Sequence, residues 1–365
     1  MQAQPLFRSS VIRTVLGLTV VLASQANAAE RVTLENVEEP SDLSAEEPVA
    51  VKFSLENAAR SLDQAALHWQ KKRKCGTCHT NFAYLIGRPA LDEVLPQAPE
   101  VRAFFESLVK ERWAKEGPRW DAEVVAAGTA LAWNDRTSGG KLHPVTRTAL
   151  DRMCSIQKDD GSWEWLNCGW PPMESDEHYG VTFAALGLAA APDDYAKTEP
   201  ARKALEGVRG YLKRTPAPSL HHRTMMLWLS CYLDGILSEA KAAATLEELF
   251  AQQRPHGGWA LAGLLADWEE HERKDDEPQD TETGDGYATG LVVYVARQRG
   301  VLASDPRLVR GISWLKKNQR ESGRWFTPSP TKDSKHFISN AGTAFAALAL
   351  KACGEVPVAN ERRKE

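Results

Sequence analysis

Gln319-Arg320-Glu321-Ser322-Gly323-Arg324-Trp325 is the stretch on which the fold turns. It closes an amphipathic run in which Leu308, Ile312 and Leu315 recur at helical spacing among Arg310, Lys316 and Lys317. Its frame, Gln-x-x-x-Gly-x-Trp, appears twice more, as Gln157, Gly161 and Trp163 and as Gln253, Gly257 and Trp259. Each copy holds the same place in a unit: an amphipathic helix, the motif, a loop, then a helix rich in small residues. Such recurrence is the mark of an array of like hairpins. In each, glycine ends the first helix and lets the chain turn, glutamine can bond freed backbone groups, and tryptophan can lie against the next hairpin.

Working outward on this template predicts six helix pairs, at 54–70 with 79–90, 98–115 with 121–133, 143–157 with 178–190, 200–214 with 221–236, 238–253 with 286–299, and 306–319 with 338–353. The first helix of each pair is amphipathic. The second is apolar nearly all round, as in Ser339-Asn340-Ala341-Gly342-Thr343-Ala344-Phe345-Ala346-Ala347-Leu348, and so is buried on both sides. An inner and an outer ring of six helices each meets that demand. Strand signals are sparse, and the pairs fill 54–353, leaving no room for a second domain.

With 365 residues, 42% of them hydrophobic and 26% charged, the chain is neither a disordered polymer nor a small disulfide scaffold, since it holds only 6 cysteines. A net charge of −4 excludes a nucleic-acid partner read from electrostatics. Residues 1–28 have the pattern of a secretory signal: Arg8 and Arg13, the apolar run Val15 to Ala23, and the small-x-small site Ala26-Asn27-Ala28. The mature chain is then expected in a periplasm or outside the cell. Residues 29–53 read as an irregular arm, and 354–365 as a polar tail.

The repeats and the alternating helices resemble the α/α toroid of squalene and terpenoid cyclases and of protein prenyltransferase β subunits. The resemblance covers most of the mature chain, and it implies an all-α fold with a central cavity for a hydrophobic, isoprenoid-type ligand. Residues opening the inner helices would line one rim of that cavity: Cys78 and His79; Asp176, Glu177, His178 and Tyr179; His221, His222 and Arg223; Asp285 and Tyr287; Ser339 and Asn340. Asp176, Asp285 and Ser339 also read as ordinary N-caps. Class II cyclases protonate substrate with Asp-x-Asp-Asp, which this chain lacks; the nearest cluster is Glu174-x-Asp176-Glu177. Prenyltransferases hold zinc with Asp-x-Cys and a later histidine, where this chain has Asp285, Tyr287 and Asn340. If the chain is an enzyme, Glu174, Asp176, Glu177 and Asp285 are the acid candidates, with Tyr287 and His178 as positioning groups.

The sharpest local motif is Cys75-Gly76-Thr77-Cys78-His79, which matches the attachment sequence of c-type haem. Two thiols there add to the haem vinyl groups and the adjoining histidine ligates iron. A haem at this place would cover the mouth of the toroid, with His178, His221, His222 or a small molecule as distal ligand. Two alternatives stand beside it: a zinc site in which Cys75 and Cys78 join His79 and one rim His or Asp, and a plain disulfide between Cys75 and Cys78. Cys154 and Cys168 are close enough in sequence to bridge, whereas Cys231 and Cys353 read as buried free thiols in inner helices. Trp170 and Met173, in a Pro-stiffened loop, are expected to shape an entrance or pack on haem. The acidic stretch 267–285 is a solvated insertion or a lid.

Three functions remain open at this point. The first is a cyclase-like enzyme or binder of a hydrophobic small molecule, with a prosthetic group at Cys75, Cys78 and His79. The second is a haem-carrying electron-transfer or redox-sensing protein that needs a redox partner. The third is an exported carbohydrate-active enzyme, which requires a carboxylate pair across a polar cavity. Peripheral contact with a membrane surface is a further expectation.

Overall fold

The computed structural model describes residues 1, 31–266, 268, 273–333 and 336–357. The expected signal segment and most of the polar tail lie outside the described residues. The helices are α1 (Leu55–Arg73), α2 (Ala83–Gly87), α3 (Pro99–Ser107), α4 (Trp113–Lys115), α5 (Asp121–Ser138), α6 (Pro144–Ser155) and α7 (Glu177–Ala190). They continue with α8 (Glu199–Arg214), α9 (Leu220–Leu229), α10 (Glu239–Ala251), α11 (Leu261–Leu264), α12 (Gly286–Gln298), α13 (Pro306–Asn318) and α14 (Ile338–Ala352). Among the described residues β structure is limited to isolated bridges, Val49 with Arg320 and Trp170 with Glu174.

Contacts between helices close a ring. α2 packs on α5, α5 on α7, α7 on α9, α9 on α12, α12 on α14, and α14 returns to α2. These six are the apolar helices, and their buried residues cover every face, as in α12 from Gly286 to Ala296. Small residues set the spacing: a Cβ on Gly290 would lie 2.6 Å from the backbone of Ala346 in α14. The amphipathic helices α1, α3, α6, α8, α10 and α13 lie outside, each showing one buried stripe, such as Leu308, Gly311, Ile312 and Leu315 in α13. The molecule is an all-α toroid with two concentric helical walls.

The three motifs repeat atom by atom. Trp163, Trp259 and Trp325 are all 0% exposed. Their indole N–H groups donate to the carbonyls of Met153, Leu249 and Leu315, each ten residues back, at 2.6–2.8 Å. The side-chain amides of Gln157, Gln253 and Gln319 donate to their own motif glycines and to a carbonyl of the next outer helix or its cap: Ala204, Arg307 and Ser54. The third motif thus joins the last hairpin to the first. Gly161, Gly257 and Gly323 have φ of +86°, +99° and +90°, a conformation that L residues with a Cβ avoid.

Several expectations change at element ends. The fourth inner helix stops at Leu229, where the Ser230 hydroxyl turns back onto the carbonyl of Leu227. Cys231 therefore lies in the following turn and Cys353 at the C-terminal end of α14, both half-buried rather than inside inner helices. Ser339 is no N-cap. It sits inside α14, and its hydroxyl pairs with the backbone of Thr327. The first inner helix opens as a π turn, Cys78–Phe82, continues through α2 and ends in a 3₁₀ turn, Arg88–Leu91.

Candidate functional site

The N-terminal ends of the inner helices gather at one end of the ring. Asp176 caps α7, accepting from the Tyr179 N–H at 2.8 Å, and its second oxygen lies 2.9 Å from His222 Nε2. The other nitrogen of His222 lies 2.8 Å from the Ser219 hydroxyl. His221 Nε2 is 3.0 Å from the Tyr287 hydroxyl, and its ring stacks between Tyr179 and Tyr287. Asp285 caps α12, accepting from Ala288 N–H at 2.9 Å and from the Leu261 N–H and Thr327 hydroxyl. Burial pushes Asp285 up to about 7 against those donors. His178 is buried with neither ring nitrogen partnered.

These contacts correct the metal expectation. Among the described residues no group of three or more His, Cys, Asp or Glu could hold a metal ion. His222 has both nitrogens engaged, His221 is bonded to tyrosine, His178 stands edge-on to His222, and His79 turns to Glu174. Arg223 leaves the rim altogether and pairs with Glu248 on the outer helix α10. Asn340 donates to the Thr80 hydroxyl. Glu177 pairs with Lys158 at 2.7 Å on the surface, apart from the other acids. Trp170 is half-buried, with the ammonium groups of Lys274 and Lys332 5.9 and 5.7 Å from its ring, and it is in the lining of neither the ring centre nor the rim hollow.

The middle of the ring is filled. Phe82, Ile86, Met173, Tyr179, Phe183, Met225, Trp228 and Phe345 converge there with Cys78 and leave about 20 Å³ free. Pockets for drug-sized ligands run to several hundred Å³. An isoprenoid would have to displace aromatic rings to enter. The lining is also apolar, so the carboxylate pair needed across this cavity by a carbohydrate-active enzyme is missing.

The open space lies beside it, at the rim. A hollow of about 250 Å³ is walled by Trp69, Phe82, Phe105, Leu108, Trp120 and Leu166, with Arg112, Arg119 and Glu123 also in its lining. Cys75, Cys78 and Cys168 all open onto it, as does Glu174. The geometry of α1 explains the presentation. Gln70 donates to the carbonyl of Glu100 in the next outer helix, as the motif glutamines do, and Lys74 takes the left-handed place of the motif glycine with φ +50°. Gly76 then stands where tryptophan would, and Phe105 closes to 2.5 Å from where its Cβ would be. The cysteines thus occupy a worn copy of the motif, turned toward the hollow.

Glu174 organises the next layer. His79 Nδ1 lies 3.4 Å from its carboxylate. Burial works against its charge, but hydrogen bonds from His79 and Cys78 hold Glu174 below the usual carboxylate range. Burial and that same carboxylate push the Cys78 thiol well above its ordinary range. The residues fit a covalently held haem in three respects: two thiols open on one hollow, the walls are aromatic and apolar, and guanidinium groups are present for acidic edges. The ring of His79 lies next to this hollow rather than in its wall. His178, His221 and His222 do not line it, so none of them is placed as a distal ligand.

Cys168 was legible only as a bridging partner of Cys154. The structure separates the two: Cys154 lies against Tyr195 and lines another surface hollow with Gln157 and Glu199. The lining residues Phe105, Leu108, Arg112, Arg119 and Trp120 carried no sequence signal, apart from the oddity of a large aromatic, Trp120, directly before an inner helix.

No protein-family description and no curated protein matches the chain. Among solved structures, it is similar to the type II terpene cyclase MstE from Scytonema in its apo form, with TM-score 0.49 and 11% identity over 82% of this chain and 99% of that one. A variant of that cyclase in complex with geranylgeranyl dihydroxybenzoate (substrate) gives TM-score 0.47 and 11% identity over 82% and 97%. Another, in complex with merosterolic acid A (product), gives 0.45 and 12% over 83% and 99%. At these values the site is read from this chain's own residues.

Proposed function

We propose that the chain is an exported carrier of covalently attached c-type haem, built on a toroid scaffold and serving electron transfer or redox sensing. One observation carries this reading: both thiols of the Cys-x-x-Cys-His segment open onto a single aromatic-walled hollow. When bound, haem supplies one-electron chemistry at its iron. Cys75 and Cys78 would hold it. Trp69, Phe105 and Trp120 exclude water and lower the local dielectric. Arg119 would be the partner for its acidic edge groups, since Arg112 is already paired with Glu123. His79 would be the ligating residue, its imidazole oriented by Glu174, whose carboxylate lies 3.4 Å from Nδ1.

Cyclisation of an isoprenoid finds less support. It requires an acid aimed into a chamber, but Asp176 and Asp285 spend their oxygens on caps and neighbours, and the chamber is filled. Binding of a hydrophobic small molecule remains supported at the rim hollow, which is apolar and open, rather than at the ring centre.

Expression with the haem-attachment machinery tests the proposal. The wild-type protein is expected to be red, with a denatured mass raised by one haem. A Cys75→Ala, Cys78→Ala double variant is expected to be colourless at its unmodified mass. A colourless wild-type protein of unmodified mass from that host overturns the reading. Solvent extraction of the same preparation checks for co-purified isoprenoid.

A further inference from the structure

We infer that the groove between the N-terminal arm and α13 is a binding site for a neutral oligosaccharide. It shares no lining residue with the rim hollow, and its occupancy does not depend on haem attachment. The groove measures about 1000 Å³, the upper end of the usual range for ligand sites, with room for several sugar rings. Leu43 to Glu46 of the arm form one wall, and the last turns of α13 form another. Segments 280–284 and 326–328 face them.

The floor of the groove is aromatic. Trp314 is 8% exposed, and glycines clear the space for its indole: a Cβ on Gly258 or Gly284 would lie 3.0 or 3.1 Å from it. Phe326 is half-buried, with the His336 ring edge-on at 4.9 Å. Flat rings of this kind take up the C–H face of a sugar. The polar groups around them keep hydrogen-bonding capacity. His336 Nδ1 accepts the Ser329 N–H at 3.0 Å, so Nε2 carries the proton and is free to donate. Burial pushes the pKa of His336 down, which keeps that ring neutral. Asn318 donates to the Trp314 carbonyl at 2.8 Å and keeps its amide oxygen open. Among the described residues the Trp314 indole N–H has no acceptor, and it is not sealed from solvent. The charges in the lining nearly cancel: Glu46, Asp280, Glu282 and Asp333 stand against Arg273, Lys317 and Arg320. Such a lining attracts neither a strong anion nor a strong cation. It suits a ligand whose hydroxyls donate and accept at once and whose rings have an apolar face.

The test titrates the purified protein with cellohexaose, maltohexaose and chitohexaose, read by tryptophan fluorescence and by calorimetry. Trigalacturonate is the anionic comparison. Saturable binding of at least one neutral sugar to the wild type and to Trp170→Ala supports the site, provided that Trp314→Phe, Phe326→Ala and His336→Ala each weaken it by about tenfold or more. Circular dichroism shows which variants are folded, and Asn318→Ala, at the end of α13, takes the place of any ring variant that is not. No saturation by any neutral sugar at millimolar concentration overturns the inference. So does binding that these variants retain, and so does tighter binding of trigalacturonate than of all three neutral sugars. The outcome is read on haem-free protein as well as on haem-loaded protein, so failure here leaves the haem reading standing.

Discussion

His178 concentrates the acid sensitivity of the molecule. Its ring is 3% exposed, with no partner on either nitrogen. Burial, helped by neighbouring His222 and opposed by Asp176, pushes its pKa down to about 4 from an ordinary 6.5. The unfolded chain therefore takes up the proton first as pH falls. The stability this neutral imidazole contributes is whole above 6.5 and is lost as pH drops through about 4, a change of about 3 kcal/mol. Burial drives His221 in the same direction. Asp285 opposes them: raised from 3.8 to about 7, its contribution is present at the acid end and fades as pH rises through about 7. His178→Leu is expected to flatten the acid limb, so that urea titrations at pH 5 show the variant gaining on wild type relative to pH 8. Equal slopes for both proteins between pH 4 and pH 6.5 would exclude this role. Sequence reading placed these histidines on one rim, and in the structure His178, His221 and His222 lie in ring contact with one another. It took them for metal ligands because spacing cannot show that Ser219, Asp176 and Tyr287 already engage them.

At the scale of elements, the motif turn is where a single methyl group costs most. A Cβ on Gly323 would lie 2.3 Å from the backbone of Asn57, and one on Gly161 2.1 Å from the Gly207 carbonyl, both at positive φ. Gly323→Ala is expected to cost about 3 kcal/mol or more, because strain and clash add. Gly140→Ala, also at positive φ but facing open space, is expected to cost about 1 kcal/mol. Thermal melts of the two variants against wild type check the contrast, and similar losses in both would show that conformation alone matters. The first hairpin rests instead on a fully buried ion pair, in which Arg88 clasps Asp63 at 2.9 and 3.0 Å while the Tyr84 hydroxyl donates to the same carboxylate at 2.7 Å. Asp63→Ala leaves a buried guanidinium short of a partner and is expected to cost about 3–5 kcal/mol, read by urea titration. Nothing in the sequence paired these two residues, 25 positions apart and each isolated on its own helix.

For the whole molecule, the decisive feature is the closing joint. Gln319 receives the Ser54 N–H at 2.8 Å and returns its amide to the Ser54 carbonyl, so the last outer helix grips the first. The irregular arm before α1 reinforces this joint. Arg324 binds the Glu47 carboxylate at 2.7 Å and the carbonyls of Ser41 and Asp42, and Glu47 also accepts from the Ser322 N–H. Glu47→Ala is expected to lower stability by about 2–3 kcal/mol. Hydrogen exchange should then quicken in 41–50 and 319–325 together; faster exchange in the arm alone would mean that it plays no part in closure.

Helix pairs, their order, the buried tryptophans and the Cys-x-x-Cys-His segment were readable from sequence, because periodicity, turn glycines and short motifs act within a few residues of themselves. Whether the ring encloses a chamber was not readable, since the space at the axis depends on aromatic rotamers arriving from several helices at once. For the same reason only the folded chain parts Cys168 from Cys154 and brings it to Cys75 and Cys78: a turn held by Glu174, Trp165 and Thr331 places that thiol, through contacts that no local spacing records.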